Sequence, residues 1–150
     1  MDSQIKAFKK IHADQIVSYG MNDKLMEIDA GYKDNRLCNY TKSENGFTMF
    51  IDSKPVFAIG IVLLWDGVAE GWVLANQNVY EIRYLAAKTM KELTEEMCQR
   101  NKIKRLQTSV KAEFKLGVRF ATWLGLEIEG LKKNYGPDGS DYYQLARIFK

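Results

Sequence analysis

The sequence predicts a mixed α/β (α+β) fold, a mostly antiparallel central sheet with helices on both faces. Three observations carry this. Val56–Trp65 is a nearly continuous apolar run that meets Asp66-Gly67 and returns as Val68–Ala75, the pattern of a central hairpin covered on both faces. Ile82, Leu85, Ala86, Met90, Leu93 and Met97 then recur at three- and four-residue spacing, marking one apolar face of a long helix. Beyond it, strand-like and helix-like segments alternate to the end, which places helices against a sheet rather than in a bundle.

Along the chain, Ile5–Lys9 alternates apolar and polar residues as a first strand does. Asp14 is positioned to cap a short helix running to Tyr19 and ended by Gly20, and Asp23–Ala30 reads as a second short helix closed by Gly31. Residues 33 to 45 are polar without a period. Phe47–Ile51 is strand-like and stops at the turn-forming Asp52-Ser53-Lys54-Pro55. The long helix should end near Asn101, which tolerates a left-handed C-cap. Arg105–Val110 is the next strand, and Phe114, Val118, Ala121 and Leu124 mark a helix ended by Gly125. Leu126–Lys132 and Tyr142–Phe149 are the last strands, joined through Gly136-Pro137-Asp138-Gly139. With no repeat, linker or low-complexity tract, residues 1–150 read as one domain.

Composition excludes several function classes. Hydrophobic residues make up 46% and charged residues 27%, with a net charge of +3. The small basic groups Lys102-Lys104-Arg105 and Lys132-Lys133 fall short of the stripe a nucleic-acid binder carries, so nucleic acid is not an expected partner. The longest apolar run, Pro55 to Trp65, is shorter than the roughly 20 residues a membrane span needs. Cys38 and Cys98 stand apart without a paired motif, and the start lacks a signal-peptide core. A cytoplasmic protein with reduced thiols is therefore expected. His12 is the sole histidine and reads as a surface or cap residue, so no histidine-rich metal site or catalytic triad is expected. No P-loop or dinucleotide fingerprint occurs. Trp65, Trp72 and Trp123 read as core aromatics in preference to pocket walls.

The element order and the second half of the chain resemble the GNAT (Gcn5-related N-acetyltransferase) superfamily. Asn101–Val110 resembles its passage from the long helix into the fifth strand. Arg119–Gly130, with Trp123-Leu124-Gly125-Leu126 and Glu129-Gly130, is similar to its aromatic, Leu-Gly-Phe, Glu-Gly signature, and Tyr142–Arg147 to its last strand. Among relatives the chain looks most like short phage-encoded proteins of this fold, including internal virion proteins.

The resemblance implies acetyl-CoA held between splayed fourth and fifth strands, with its pyrophosphate on backbone amides at the start of the long helix. On this sequence those positions are Asn78, Val79, Tyr80, Glu81, Ile82 and Arg83, and amides around Leu74, Ala75 and Asn76 would face the acyl oxygen. Glu70 is the expected general base. Two places depart from the family pattern. Glu81 stands where the family has Arg or Gln and Tyr84 where it has Gly, and no glycine lies between Trp72 and Gly117. Ala121 stands where many members carry the acidic tyrosine; Tyr84, Tyr135, Tyr142 and Tyr143 are the candidates to replace it.

Two functions follow. One is an acyl-CoA-dependent N-acetyltransferase whose partners are acetyl-CoA and an amine. The other is a catalytically inactive phage structural, assembly or host-interaction module with a phage or host protein as partner. Either is compatible with a homodimer.

Overall fold

The computed structural model describes residues 1–18 and 45–150. The helix predicted at Asp23–Ala30, nearly all of the stretch 33–45, and Cys38 lie outside the described residues. Seven strands form one sheet among these residues: β1 (Ser3–Ala7), β2 (Gly46–Ile51), β3 (Lys54–Trp65), β4 (Val68–Ala75), β5 (Arg105–Lys111), β6 (Glu127–Lys132) and β7 (Tyr142–Ile148), in the order β1-β2-β3-β4-β5-β7-β6. Every pairing is antiparallel except that of β4 with β5, which is parallel. Helix α1 (Lys10–Ser18) covers one face. Helices α2 (Arg83–Arg100) and α3 (Lys115–Trp123) cover the other.

Turn chemistry sets the register of the central strands. Asp66 and Gly67 form the two-residue β3–β4 turn, with Gly67 at φ +80°, a conformation that favours glycine. Asp52 and Ser53 make the β2–β3 turn with φ of 49° and 68°, a left-handed pair built without glycine. The main core lies between the sheet and α2, where Phe57, Ile61, Met97 and Leu145 are almost wholly buried. A smaller cluster of Ala13, Ile16, Ala58, Trp72 and Leu74 packs α1 on the opposite face.

Local differences from the sequence reading have local causes. The first strand spans Ser3–Ala7, two residues earlier than expected, because its register against β2 pairs Ala7 with Phe47. Helix α1 begins at Lys10 rather than after Asp14, and His12 is the reason. Its Nδ1 accepts the Lys9 N–H (3.1 Å) and lies 2.9 Å from the Thr48 hydroxyl, so the ring caps the helix from within and is buried between Phe8 and Phe50. The surface alternative for His12 is overturned and the cap alternative stands. At the end of α2, Lys102 rather than Asn101 adopts the left-handed conformation (φ 53°), while the Asn101 amide donates to the Met97 carbonyl. Trp65 and Trp123 are exposed; Trp72 alone of the three tryptophans is core.

Candidate active site

The parallel pair is where the sheet opens. β4 and β5 are registered only at Val68–Arg105, Ala69–Leu106 and Glu70–Gln107. One further bond crosses, from the Thr108 hydroxyl to the Gly71 carbonyl (3.2 Å). Past this point β5 pairs with β7 alone and β4 with β3 alone. A cavity of about 720 Å³ occupies the opening, within the range of small-molecule sites. Its walls come from both faces of the sheet: Ala86, Met90 and Thr94 of α2 with Phe120 and Ala121 of α3 on one side, Glu70, Ser109 and Tyr142 on the other.

Strand alternation decides which backbone groups face the gap. The Asn76 N–H donates to Val56 of β3 and the Gly71 carbonyl accepts from β5. Successive residues of a strand point their backbone groups to opposite neighbours, so the N–H groups of Val73 and Ala75 face the opening. Of the expected Leu74–Asn76 window, only Ala75 has this orientation. Leu74 packs toward α1, and the Asn76 side chain is spent on the fold: Nδ2 donates to the Pro55 carbonyl and Oδ1 accepts the Asn78 N–H.

The expected phosphate segment divides in the same way. Gln77–Tyr80 is a 3-10 helix in which the Val79 N–H donates to Asn76, and beyond it those of Glu81 and Ile82 donate to Asn78 and Val79. These amides are therefore engaged within the turn. The first bond of α2 runs from the Ala86 N–H to the Ile82 carbonyl (2.7 Å), and no side chain caps the helix. The N–H groups of Arg83, Tyr84 and Leu85 thus precede the helical ladder and carry its positive dipole end. Of the side chains, Val79, Tyr80 and Arg83 line the cavity, while Glu81 and Tyr84 do not. Tyr84 is 80% exposed with its ring 4.9 Å from the Arg83 guanidinium, so its catalytic candidacy is not supported by position. The helix start is set by the 3-10 turn, which leaves Glu81 outside and puts a cation at the site.

Close packing shapes the α3 wall. A Cβ on Gly117 would lie 2.2 Å from Phe114 Cδ1, so only glycine lets the Phe114 ring fold back beside the cavity. Ala121 is buried in this wall and offers a methyl where the family tyrosine would stand. Tyr80, Tyr135 and Tyr142 line the cavity; Tyr143 packs with the main core. Residues that the sequence reading did not single out are Val73, Thr108 and Ser109. The Val73 amide was readable from strand parity, whereas the other two depend on where the sheet opens. Cys98 is buried beside the core, and burial pushes its thiol up to about 11, which keeps it protonated and unreactive. No group of metal-ligating side chains occurs among the described residues.

No protein-family model matches the chain, and no curated protein matches it in sequence. Solved structures do. The chain is similar to an acetyltransferase of the GNAT family from Bacillus anthracis (TM-score 0.74, 17% identity, covering 99% of this chain and 95% of that one). It is similar to Ard1 from Thermoplasma volcanium (TM-score 0.75, 14% identity, covering 100% and 99%). A third is the ribosomal-protein-S5-alanine acetyltransferase from Vibrio fischeri (TM-score 0.71, 15% identity, covering 99% and 93%). The fold is that of the GNAT acetyltransferases.

Proposed function

We propose that the protein is an acyl-CoA-dependent N-acetyltransferase that works in the β4–β5 opening. The observation that carries this reading is the opening itself, a cavity through a sheet with uncapped helix N–H groups at one end and a half-buried carboxylate, Glu70, in its wall.

The residues present fit the cofactor in part. The Arg83–Leu85 amides with the Arg83 guanidinium supply the positive end that a pyrophosphate needs. Ala86 and Ala87 keep the helix face behind them small. The missing glycines limit how closely the backbone can approach, and Arg83 compensates with charge. Bound acetyl-CoA would supply an activated thioester. The Val73 and Ala75 N–H groups are then positioned to hold the negative charge that develops on the acyl oxygen. Glu70 would take a proton from the acceptor amine as that nitrogen attacks. Tyr135 or Tyr142, which line the cavity, or water would give a proton to the thiolate that leaves, since Ala121 has none to give.

A thermal-shift titration with acetyl-CoA tests the reading, because a ligand bound only by the native state raises the melting temperature. A saturable rise is expected, and its absence at millimolar cofactor would favour a non-catalytic use of the fold.

A further inference from the structure

The face of the sheet across from α2 and α3 carries an organised row of polar side chains, of which the proposed transfer reaction uses only Glu70. Glu70 on β4 is level with Gln107 on β5, and Ser109 follows two residues on, so all three rise from one face. Three cations of β5 and β6 share that face. Arg105 is neutralised by a bidentate pair with Glu129 (2.6 and 2.9 Å) and also donates to Gln107 (2.9 Å). Lys111 is buried and pairs with Asp138 (3.0 Å). Hydrogen bonds from the Ser140 hydroxyl and from Lys111 hold the Asp138 carboxyl well below the ordinary range, so that pair stays charged at any physiological pH.

Lys132 differs from both. Its Nζ donates to the Ser109 hydroxyl (2.9 Å) and sits 4.4 Å from the centre of the Tyr135 ring, and it makes no ion pair with a described carboxylate. Ser109 in turn lies within hydrogen-bond reach of Gln144 Oε1 (3.3 Å). The ammonium is thus fixed by a hydroxyl and a ring, both of which line the cavity. A half-buried cation held in place without a counter-charge is suited to take one from a ligand.

Building on the acetyltransferase reading, we infer that the acceptor is a small amine bearing a carboxylate, an amino-acid-like molecule whose ammonium end meets Glu70 and whose carboxylate meets the Lys132 ammonium that Ser109 positions. Glu70 and Ser109 rise from neighbouring strands two residues out of level, so the two ends of such a ligand would meet different strands across the opening. A neutral amide at the carboxylate end would leave Lys132 unpaired, which makes the site selective for the acid.

The test compares binding of the common L-amino acids with their C-terminal amides by ligand-observed NMR, on the full chain, before and after Lys132→Met. The expected result is that at least one acid binds about tenfold or more tightly than its amide, and that Lys132→Met removes the difference. Lys132→Arg, which keeps the charge, should retain most of it. Equal binding of acid and amide, or a preference that survives Lys132→Met, overturns the inference. The acetyl-CoA thermal shift is run on the same sample. Acid selectivity without a cofactor shift overturns only the transferase reading. A cofactor shift without acid selectivity overturns only the acceptor assignment.

Discussion

The two ends of the β4–β5 opening are built from different materials. On the α2 side the wall is mostly apolar, and apart from the Arg83, Thr94 and Thr108 side chains its polar groups are backbone amides whose direction follows from strand parity and from where a helix begins. On the other side the polar groups are side chains, Glu70, Ser109, Gln144 and Lys132, placed by cross-strand registers. Backbone donors tolerate sequence change, because any residue but proline supplies an N–H. On the proposed reading, that is how this chain can present a cofactor site without the glycines and the tyrosine of the family pattern. Side-chain recognition has no such tolerance, so the acceptor end is where substitution should tell most.

Substitutions can separate the two ends. The largest effect is expected from Glu70→Gln, which should lower turnover about 100-fold, the low end for loss of a general base, while leaving the acetyl-CoA thermal shift in place. An equal loss of cofactor binding would mean that the ends are not independent. Gly117→Ala should come next, destabilising the fold by about 2 kcal/mol as Phe114 is forced out of the cavity wall, read as a lower urea midpoint together with a smaller cofactor shift. Arg83→Glu should weaken acetyl-CoA binding about tenfold by titration and leave the preference for acid over amide untouched.

The smallest effect lies outside the opening. Burial, then the charges of Lys9 and Lys6, lower the pKa of His12 from its ordinary 6.5, so the fold favours the neutral ring. The unfolded chain therefore binds the extra proton first. The stability His12 contributes is full above about pH 6.5 and is lost as pH falls below it. Urea midpoints at pH 7.5 and 5.5 should differ more for the native protein than for His12→Gln.

How much could be read beforehand divides along the same line. The hairpin at Asp66-Gly67, the long amphipathic helix and the closing strands were legible because each is written in local period and turn chemistry. Glu70 was expected from the resemblance, since family bases often sit on the strand after the hairpin, and the structure places it in the cavity wall. The exact start of the long helix was not legible. A continuous apolar period across Val79–Ala86 hides the 3-10 turn, which exists because the buried Asn76 side chain ties that segment to Pro55 and caps Asn78. The turn engages the Val79, Glu81 and Ile82 amides, so on the proposed reading the anion contacts expected over Asn78–Arg83 narrow to Arg83 and extend to Tyr84 and Leu85, with Arg83 rather than Glu81 in the wall. Lys132 looked like part of a solvated basic pair, since its role depends on Ser109, 23 residues away and on a non-adjacent strand.

The most direct measurement is the backbone amide NMR spectrum of the protein with and without coenzyme A. Resonances of Val73, Ala75, Arg83, Tyr84 and Leu85 should shift most, and those of Val79, Glu81 and Ile82, already bonded within the turn, should shift less. An unchanged spectrum, or shifts confined to residues away from the β4–β5 opening, would contradict the placement of the cofactor there.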